Sequence, residues 1–449
     1  MDFNHIQNIY FLGIGGIGMS ALARHFNSRG VVVCGYDKTP SSLTEALKTE
    51  GVSIGHVDAP SSVKHKPDLV IYTPAIPVDA RLFAYFRSSG IPMLKRSEVL
   101  GLLSKQTPTI AVAGTHGKTT VCAMLTHIMQ EAGVAILSFM GGISANYNTN
   151  YIGHPDPAWL IAEADEYDRS FLHLAPRIAL VTAIDSDHLD VYGSWKMVKE
   201  SFAQFAALLN DDGTLLIKQG VDIEPCGTTR KFDYSAMPPA DYYLDNIELK
   251  QGRYQASLGG RISIDGIALQ HPGRHNLENA LAAAALAHLA GVSSSVIRKA
   301  LNSFMGVKRR FEIIVKTRHC AYVDDYAHHP EEITACINTA RELWPGKKIT
   351  GVFQPHLYSR TRDLADQFAA SLSRLDELML LDIYPAREKP IPGVDAKLLL
   401  NKVEMPEAVF YTKEKLLKQL MKKKPEVLLT MGAGDIDKLS NEIKTILTQ

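Results

Sequence analysis

Lys118 stands between a glycine and two threonines, in the stretch Ile110–Thr120, IAVAGTHGKTT. A short apolar run, Ile110 to Ala113, predicts a buried strand; Gly114 breaks it into a turn, and Val121 to Ala132 continues with helical apolar spacing. Strand, glycine turn and helix in that order make an anion cradle, because the turn N–H groups and the positive end of the helix dipole face one point. Lys118 adds a full charge there, and the Thr119 hydroxyl suits a Mg²⁺ ion held against phosphates. The common form of this loop has a glycine where Val112 stands, so this is a shortened variant. The plain alternative, a tight turn with a surface lysine, does not account for Gly117, Lys118, Thr119 and Thr120 all falling at a strand-to-helix junction. ATP is therefore the expected ligand of Gly114, Thr115, His116, Gly117, Lys118, Thr119 and Thr120.

A second glycine turn precedes it. Ile9 to Leu12 reads as a strand opening into GIGGIGMSALA, Gly13 to Ala23, in which Gly13, Gly15 and Gly18 fit GxGxxG ahead of a helical pattern. Val31 to Gly35 is the next strand and ends near Asp37, placed to bond a ribose hydroxyl. The glycines only let a backbone approach a diphosphate, so a UDP-sugar serves as well as a dinucleotide. Leu69 to Tyr72 predicts another strand, followed by TPAIP, Thr73 to Pro77, whose prolines predict an extended loop. Pro92 to Arg96 reads as a last short strand, and the polar stretch from Ser104 to Pro108 as a linker.

Two acidic clusters follow the phosphate loop. Leu160 to Ala164 reads as a strand running into AEADEYD, with Glu163, Asp165, Glu166 and Asp168; Ile178 to Ile184 runs into DSDHLDVYG, with Asp187, His188 and Asp190. A parallel sheet delivers such residues to the carboxyl edge where the phosphate loop also sits. Carboxylates and an imidazole there suit divalent cations bridging phosphate oxygens, and solvated acidic loops are the simpler alternative. In PGRHNLENALAAAALAHLAGV, Pro272 to Val292, Asn276 and Asn279 lie one helical turn apart; on spacing alone either a helix cap or a pair of amides on an adenine edge fits. After the basic connector MGVKRRFE, Met305 to Glu312, strands at Ala321–Val323, Ile349–Phe353, Leu378–Leu381 and Val427–Thr430 alternate with helices at Glu331–Leu343, Arg362–Ser373 and Lys413–Lys422, a further α/β domain. Its polar strand ends are DDYAHHPEE from Asp324 and FQPHLYSRTRD from Phe353.

The elements that position these residues fit a chain of 449 residues, long enough for about three domains. Lys and Arg number 48 and so do Asp and Glu, so nothing in the balance calls for nucleic acid or an acidic membrane surface. Cys34, Cys122, Cys226, Cys320 and Cys336 are scattered without CxxC spacing, as expected of reduced thiols in a cytoplasmic enzyme. No apolar run approaches the roughly 18 residues of a membrane span, so membrane insertion is not expected.

Two anion-binding turns on separate domains, and a third domain with paired histidines and arginines, point to a ligase. Joining a carboxylate to an amine needs a leaving group, and the γ-phosphate of ATP supplies one as an acyl phosphate, with Mg²⁺ and Lys118 neutralising charge in flight. GIGGIGMS, AGTHGKTT, EADEYDRSFLHL, DSDHLDVYG, GRHNLENALAA, VKRRFE, DDYAHHPEE and FQPHLYSRTRDL, in this order, resemble the Mur ligase family over nearly the whole chain. The resemblance implies an α/β protein of three domains: a Rossmann-like UDP-sugar-binding domain at 1–106, a central P-loop ATPase-type α/β domain at 107–306 and a C-terminal Rossmann-like α/β domain at 307–449 that closes over the site. It implies ATP-dependent joining of L-alanine to the carboxylate of UDP-N-acetylmuramate through an acyl phosphate, in peptidoglycan synthesis, by a monomer or homodimer.

Carried over by motif, Lys118 would hold the β- and γ-phosphates, and Thr119, Glu163 and His188 would bind Mg²⁺ or, in its place, Mn²⁺. Asn276 and Asn279 would meet adenine, while Arg310 and Asp325 would contact ATP phosphate and ribose. Tyr326, His328, His356 and Arg360 would line the amino-acid and acyl-phosphate end, with His328 and Arg360 in catalysis beside Lys118, Glu163 and His188. Gly15, Gly16, Ile17, Gly18, Met19 and Ser20, with Asp37 and the loop Thr73, Pro74, Ala75 and Ile76, would hold UDP. Leu357 replaces an arginine common in relatives, leaving carboxylate recognition to Arg360. Tyr167 replaces a serine and resembles the murein peptide ligases, which attach a recycled tripeptide to the same sugar; Phe171 to Leu174 resembles the L-alanine enzymes. Ala203 stands where other members carry a modified lysine, so none is expected. Tripeptide ligation is thus one alternative, and a non-enzymatic ATP/dinucleotide sensor is another.

Overall fold

The computed structural model describes residues 3–185, 192–209, 211–224, 227, 229–386 and 388–449. Asp187, His188, Asp190 and Cys226 lie outside the described residues.

The first sheet is parallel and built from β1 (Asn8–Leu12), β2 (Val32–Tyr36), β3 (Ser53–Gly55), β4 (Leu69–Tyr72) and β5 (Met93–Lys95), in the order β3-β2-β1-β4-β5. Helices α1 (Ile17–Ser28), α2 (Ser42–Thr49), α3 (Arg81–Ser88) and α4 (Arg96–Ser104) accompany it. Residues Ile9 to Leu12 of β1 are all buried, because helices on both faces demand an unbroken apolar run rather than an alternating one. Strand order reverses beside β1, and Gly13–Gly16 opens at that switch point.

The second sheet has ten strands: β6 (Thr109–Ala113), β7 (Ile136–Ser144), β8 (Thr149–Gly153), β9 (Trp159–Glu163), β10 (Ile178–Val181), β11 (Thr214–Lys218), β12 (Arg230–Ser235), β13 (Tyr242–Lys250), β14 (Arg253–Gly260) and β15 (Ile264–Ala268). Their order is β15-β14-β13-β12-β11-β10-β6-β9-β7-β8, so β6 is central, flanked in parallel by β9 and β10. All three end at one edge, which collects the phosphate loop and the EADEYD segment. Helices α5 (Lys118–Glu131), α6 (Trp195–Ala206), α7 (Arg274–Leu289) and α8 (Ser294–Ser303) belong to this region.

The third sheet comprises β16 (Glu312–Lys316), β17 (Ala321–Asp325), β18 (Ile349–Phe353), β19 (Glu377–Leu380), β20 (Ala408–Phe410) and β21 (Val427–Met431). Its order is β16-β17-β21-β18-β19-β20, with β16 antiparallel to β17 and the other pairs parallel. Helices α9 (Pro330–Leu343) and α10 (Tyr358–Asp363) follow β17 and β18.

The chain packs as two compact units. One is Met1–Glu248 with Gln255–Gln270 and Leu277–Met305; the other is Leu249–Tyr254, His271–Asn276 and Gly306–Gln449. In the first, one apolar cluster runs from Phe11, Leu22 and Phe26 around the first sheet to Leu137, Phe139 and Phe202 around the second, and another, with Tyr10, Leu82 and Phe86, covers the first sheet's other face. The third sheet has apolar clusters on each face, one holding Phe353 and Phe368, the other Tyr322 and Leu416. Among the described residues, no helix is long and apolar enough to cross a membrane.

Four local expectations are corrected. The TPAIP loop is a turn, not extended: Ile76 N–H donates to Thr73 O at 3.1 Å, with Pro74 at the second turn position that its fixed φ favours. Arg96 begins α4 rather than ending a strand. The strand expected over Ile178–Ile184 stops at Val181, because Thr182 turns its hydroxyl back onto the phosphate loop. The single helix expected over Arg362–Ser373 is divided at Leu364, where φ −111° and ψ 18° leave helical geometry.

Candidate active site

Helix α5 starts directly at Lys118, capped by Gly117 in the left-handed region at φ 81°, where a side chain is unfavourable. No side chain caps this N-terminus, so its first N–H groups face outward as an anion site. Space enforces the other glycine: a Cβ on Gly114 would lie 2.1 Å from Thr182 Oγ1. Thr115 N–H donates to Ala183 O at 3.0 Å, and Asp185 N–H donates to Thr115 Oγ1 at 2.9 Å. His116 Nε2 lies 3.2 Å from Asp185 Oδ2. The loop is thus held against the residues that follow β10.

Its charges are already paired. Lys118 Nζ lies 2.8 Å from Glu166 Oε2, with both side chains largely buried, and donates to Gly114 O at 2.6 Å. Burial alone would lower the pKa of this ammonium, but the carboxylates of Glu166, Glu163 and Asp165 outweigh it and hold the pKa raised. Thr119 Oγ1 donates to both oxygens of Glu163, at 3.1 and 3.0 Å. A hydroxyl and a carboxylate converging in this way are hard oxygen donors of the kind a small divalent cation takes. Thr120 is buried in the first turn of α5 and packs the helix. Asn279 on α7 lies against the loop, its Oδ1 2.5 Å from where a Cβ on Gly117 would stand. Asn276 is not the cap of α7: the helix begins at Arg274, and Asn276 is buried with its Nδ2 donating to Pro272 O.

The N-terminal turn is made of backbone. Gly13 N–H donates to Tyr36 O at 2.8 Å, Gly15 N–H to Asp37 Oδ2 at 2.9 Å, and Asp37 Oδ1 accepts from Thr39 N–H at 3.0 Å. Gly16 caps α1 with no side-chain bond, leaving the amides of Ile17, Gly18 and Met19 at the helix's positive end. Ser20 is buried and turns its hydroxyl to Ile17 O. The turn of Thr73, Pro74, Ala75 and Ile76 lies beside it: a Cβ on Gly13 would stand 2.6 Å from Thr73 Cγ2.

Sequence reasoning missed two cations between these turns. Arg96 Nη1 would meet a Cβ on Gly18 at 2.6 Å, and its Nη2 lies 3.4 Å from Asp165 Oδ2. Lys95 Nζ pairs with Asp168 Oδ2 at 3.0 Å. A continuous run of contacts therefore leads from Gly18 through Arg96 to the EADEYD segment and Lys118. The hint in the sequence was the KR pair at the end of a predicted short strand, which reads as ordinary surface charge. Asp168 and Arg169 both take φ 54°, a left-handed conformation that costs energy for side-chain-bearing residues and concentrates at functional segments.

In the other unit, Asp325 ends β17 and accepts from Phe311 N–H at 2.6 Å and Ala327 N–H at 2.7 Å. Burial pushes its pKa up to about 7, against the lowering effect of Arg310. Arg310 and Arg309 both stack on the Tyr326 ring at 5.2 Å, but Arg309 is the structural member, bonded to the buried Asp324 at 3.0 Å. His328 Nδ1 lies 3.0 Å from Tyr326 O and 3.3 Å from Glu332, and its ring stands 6.0 Å from that of His356. Arg360 is half-buried on α10. Leu357, at the start of that helix with φ 71°, is buried. Tyr326, His328 and His356 are thus brought together, whereas His188 lies outside the described residues.

Models of known families match in series: the Mur ligase family, catalytic domain, over residues 8–107, the Mur ligase middle domain over 112–287, and the Mur ligase, glutamate ligase domain over 309–434. The chain is 46% identical to a UDP-N-acetylmuramate–L-alanine ligase of Parabacteroides distasonis, covering 100% of this chain and 98% of the relative. It is 44% identical to the enzyme of that name from Flavobacterium johnsoniae, with 100% of each covered. Among solved structures, a UDP-N-acetylmuramate–alanine ligase from Thermotoga maritima superposes with a TM-score of 0.82 at 29% identity, over 98% of each chain. A murein peptide ligase from Psychrobacter arcticus shares the fold, with a TM-score of 0.72 at 22% identity over 98% of each chain. With three consecutive domain models and full-length relatives agreeing, the chain belongs to the Mur ligase family.

Proposed function

We propose that this protein is an ATP-dependent ligase that joins L-alanine to the carboxylate of UDP-N-acetylmuramate in peptidoglycan synthesis. The observation that carries the reading is the unbroken contact path from the diphosphate-type turn at Gly18, through Arg96 and Asp165, to the paired Lys118 of a phosphate loop. Two anionic ligands bound on neighbouring sheets are thereby brought to one acidic segment. The full-length relatives named for L-alanine ligation supply the substrate assignment.

In this reading a muramoyl carboxylate oxygen attacks the γ-phosphorus of ATP, the bond to ADP breaks, and an acyl phosphate forms. The L-alanine amine then attacks the acyl carbon, and the tetrahedral adduct expels phosphate as the amide forms. Lys118 neutralises the β- and γ-phosphate oxygens as charge shifts toward ADP. Gly114 to Thr120 hold the triphosphate, and Asn276 and Asn279 the adenine. Gly15 to Ser20, Asp37 and Thr73 to Ile76 hold UDP. Arg310 and Asp325 take phosphate and ribose; Tyr326, His328, His356 and Arg360 take the amino acid. Mg²⁺ fits the Thr119 hydroxyl and Glu163 carboxylate, which already meet at 3.0 Å, with His188 as the third donor. Bound there it would spread the charge of the phosphate oxygens. We assign 1–106, 107–306 and 307–449 to the sugar-nucleotide, ATP and amino-acid domains, working in the cytoplasm where ATP is available.

Phosphate release from UDP-N-acetylmuramate and ATP tests this, with L-alanine, L-serine, glycine and the recycled tripeptide compared as acceptors. Fastest turnover with L-alanine is expected. Faster turnover with the tripeptide overturns the substrate, and NAD binding without any product overturns the enzyme.

A further inference from the structure

The β7–β8 hairpin belongs to the ATP-binding sheet, yet its outer strand is spent on the helix of the sugar-nucleotide turn. Asn150 on β8 is fully buried. Its Nδ2 donates to Ile17 O at 2.6 Å and to Ser20 Oγ at 3.0 Å, and its Oδ1 accepts from Arg24 Nη1. Ile17, Ser20 and Arg24 lie along one face of α1, and the first two belong to the turn whose amides face the diphosphate. Arg24 is itself fixed by both oxygens of Glu50 at 2.8 to 3.0 Å. The next residue, Tyr151, places its hydroxyl 3.1 Å from His25 Nδ1, also on α1; burial holds the pKa of that histidine down at about 3, so the contact joins neutral groups.

The same hairpin is anchored to the phosphate-loop side. Strand β7 runs parallel to β9, and the Glu163 carboxylate lies over its backbone, 1.9 Å from where a Cβ on Gly141 would stand. At the tip, Tyr147 OH lies 2.7 Å from Nδ1 of His127, which is on α5, the helix that starts at Lys118. Asn146 Nδ2 donates to Ser303 O at 3.0 Å, and its Oδ1 accepts from Met305 N–H at 2.9 Å. A buried amide with both donors and its acceptor used does not shift without leaving a polar group unsatisfied, which makes the linkage stiff.

We propose that the β7–β8 hairpin is a strap and Asn150 its positioning residue: it sets the N-terminal turn of α1 against the phosphate-loop edge, so that sugar-nucleotide affinity and alignment depend on a side chain touching neither ligand. The inference rests on reading Gly15–Ser20 as the UDP-sugar turn. Neither Asn150 nor Arg24 stands in a motif that the sequence alone singles out.

Equilibrium titration of the full chain with UDP-N-acetylmuramate, and separately with a non-hydrolysable ATP analogue, tests it. Asn150→Ala should bind the sugar nucleotide about tenfold more weakly and turn over more slowly at saturation, with the ATP analogue held within about twofold. Asn150→Asp keeps the acceptor for Arg24 but loses the donors to Ile17 O and Ser20, so it should behave as Asn150→Ala. Unchanged sugar-nucleotide binding in Asn150→Ala, wild-type behaviour of Asn150→Asp, or equal weakening of both ligands overturns the strap. If Asn150→Ala does not fold, Tyr151→Phe removes only a hydroxyl at the same junction; about threefold weaker sugar-nucleotide binding alone is expected, and no change overturns the proposal. A wild-type chain that fails to bind UDP-N-acetylmuramate overturns the function above and this inference with it, whereas normal wild-type binding with an unaffected variant overturns this inference alone.

Discussion

On the proposed reading, the two glycine turns solve the same problem, holding a multiply charged phosphate, with different materials. At Gly13–Gly18 most of the work falls to backbone: Gly15 N–H is bonded to Asp37, α1 begins without a side-chain cap, and the guanidinium of Arg96 arrives from α4. At Gly114–Thr120 an uncapped helix start is joined by side chains that are matched in advance: the Lys118 ammonium by Glu166 and the Thr119 hydroxyl by Glu163. The difference follows from what each ligand has to undergo. A diphosphate that is only held needs fixed dipoles, whereas a γ-phosphate that is transferred needs charge that can follow it. A largely buried ammonium is costly to leave unpaired, and we propose that the carboxylate of Glu166 holds the lysine until phosphate takes its place.

The sharpest way to break that contrast is Lys118→Ala. Turnover should fall by at least about 10²- to 10³-fold, while UDP-N-acetylmuramate binding, measured by titration, stays within about twofold. Loss of sugar-nucleotide binding in this variant would mean that the two turns are not separate in function. Next in size is Arg96→Ala. If the first turn relies on backbone dipoles plus the Arg96 charge, KM for UDP-N-acetylmuramate should rise about tenfold with KM for ATP little changed. An unchanged KM would leave the first turn a purely backbone site and Arg96 a packing residue against Gly18.

Glu166→Gln sharpens the contrast from the other side. Removing the carboxylate that matches Lys118 should tighten the ATP analogue by about three- to fivefold, since phosphate no longer has to displace a charge, and should lower the Tm of the nucleotide-free protein. Weaker ATP binding in this variant would show that Glu166 acts with the nucleotide instead of holding its place.

Much of this contrast was legible in the residues themselves. Both glycine turns and the helix at Lys118 are spelled by local chemistry, glycines where backbone must come close and an apolar run before them, so position along the chain suffices. Four strands of the third sheet were equally readable, because buried parallel strands are continuous apolar runs; the antiparallel β16 and the short, poorly buried β20 were not. What escaped were pairings between segments far apart in sequence. Arg96 meets Asp165 and Lys118 meets Glu166, and no spacing rule joins residues 69 and 48 positions apart in the chain. Asn276 misled for a related reason: spacing offered a cap, and the helix in fact begins two residues earlier at Arg274. The turn at Thr73–Ile76 was missed because proline favours both extended backbone and the second position of a turn.

A smaller effect separates two aspartates that look alike at the level of hydrogen bonds. Asp37 directly follows β2, Asp325 ends β17, and both accept two backbone N–H groups, but Asp37 is half-buried, whereas burial pushes the Asp325 carboxyl from its ordinary 3.8 up to about 7. A folded-state pKa above the unfolded value means that the folded protein holds the proton more tightly. The stabilisation tied to that proton is therefore fully present below about pH 4 and is lost as pH rises through about 7. Asp325→Asn removes this titration while keeping the shape of the side chain. Turning one amide nitrogen toward a backbone N–H imposes a penalty that is the same at every pH, so the absolute Tm of the variant is not the readout. The difference in Tm between variant and wild type is: it should move in favour of the variant between pH 4 and 8 and level off above. A difference that stays flat across that range would mean that Asp325 ionises as an ordinary carboxylate, its two backbone bonds and Arg310 offsetting its burial in full.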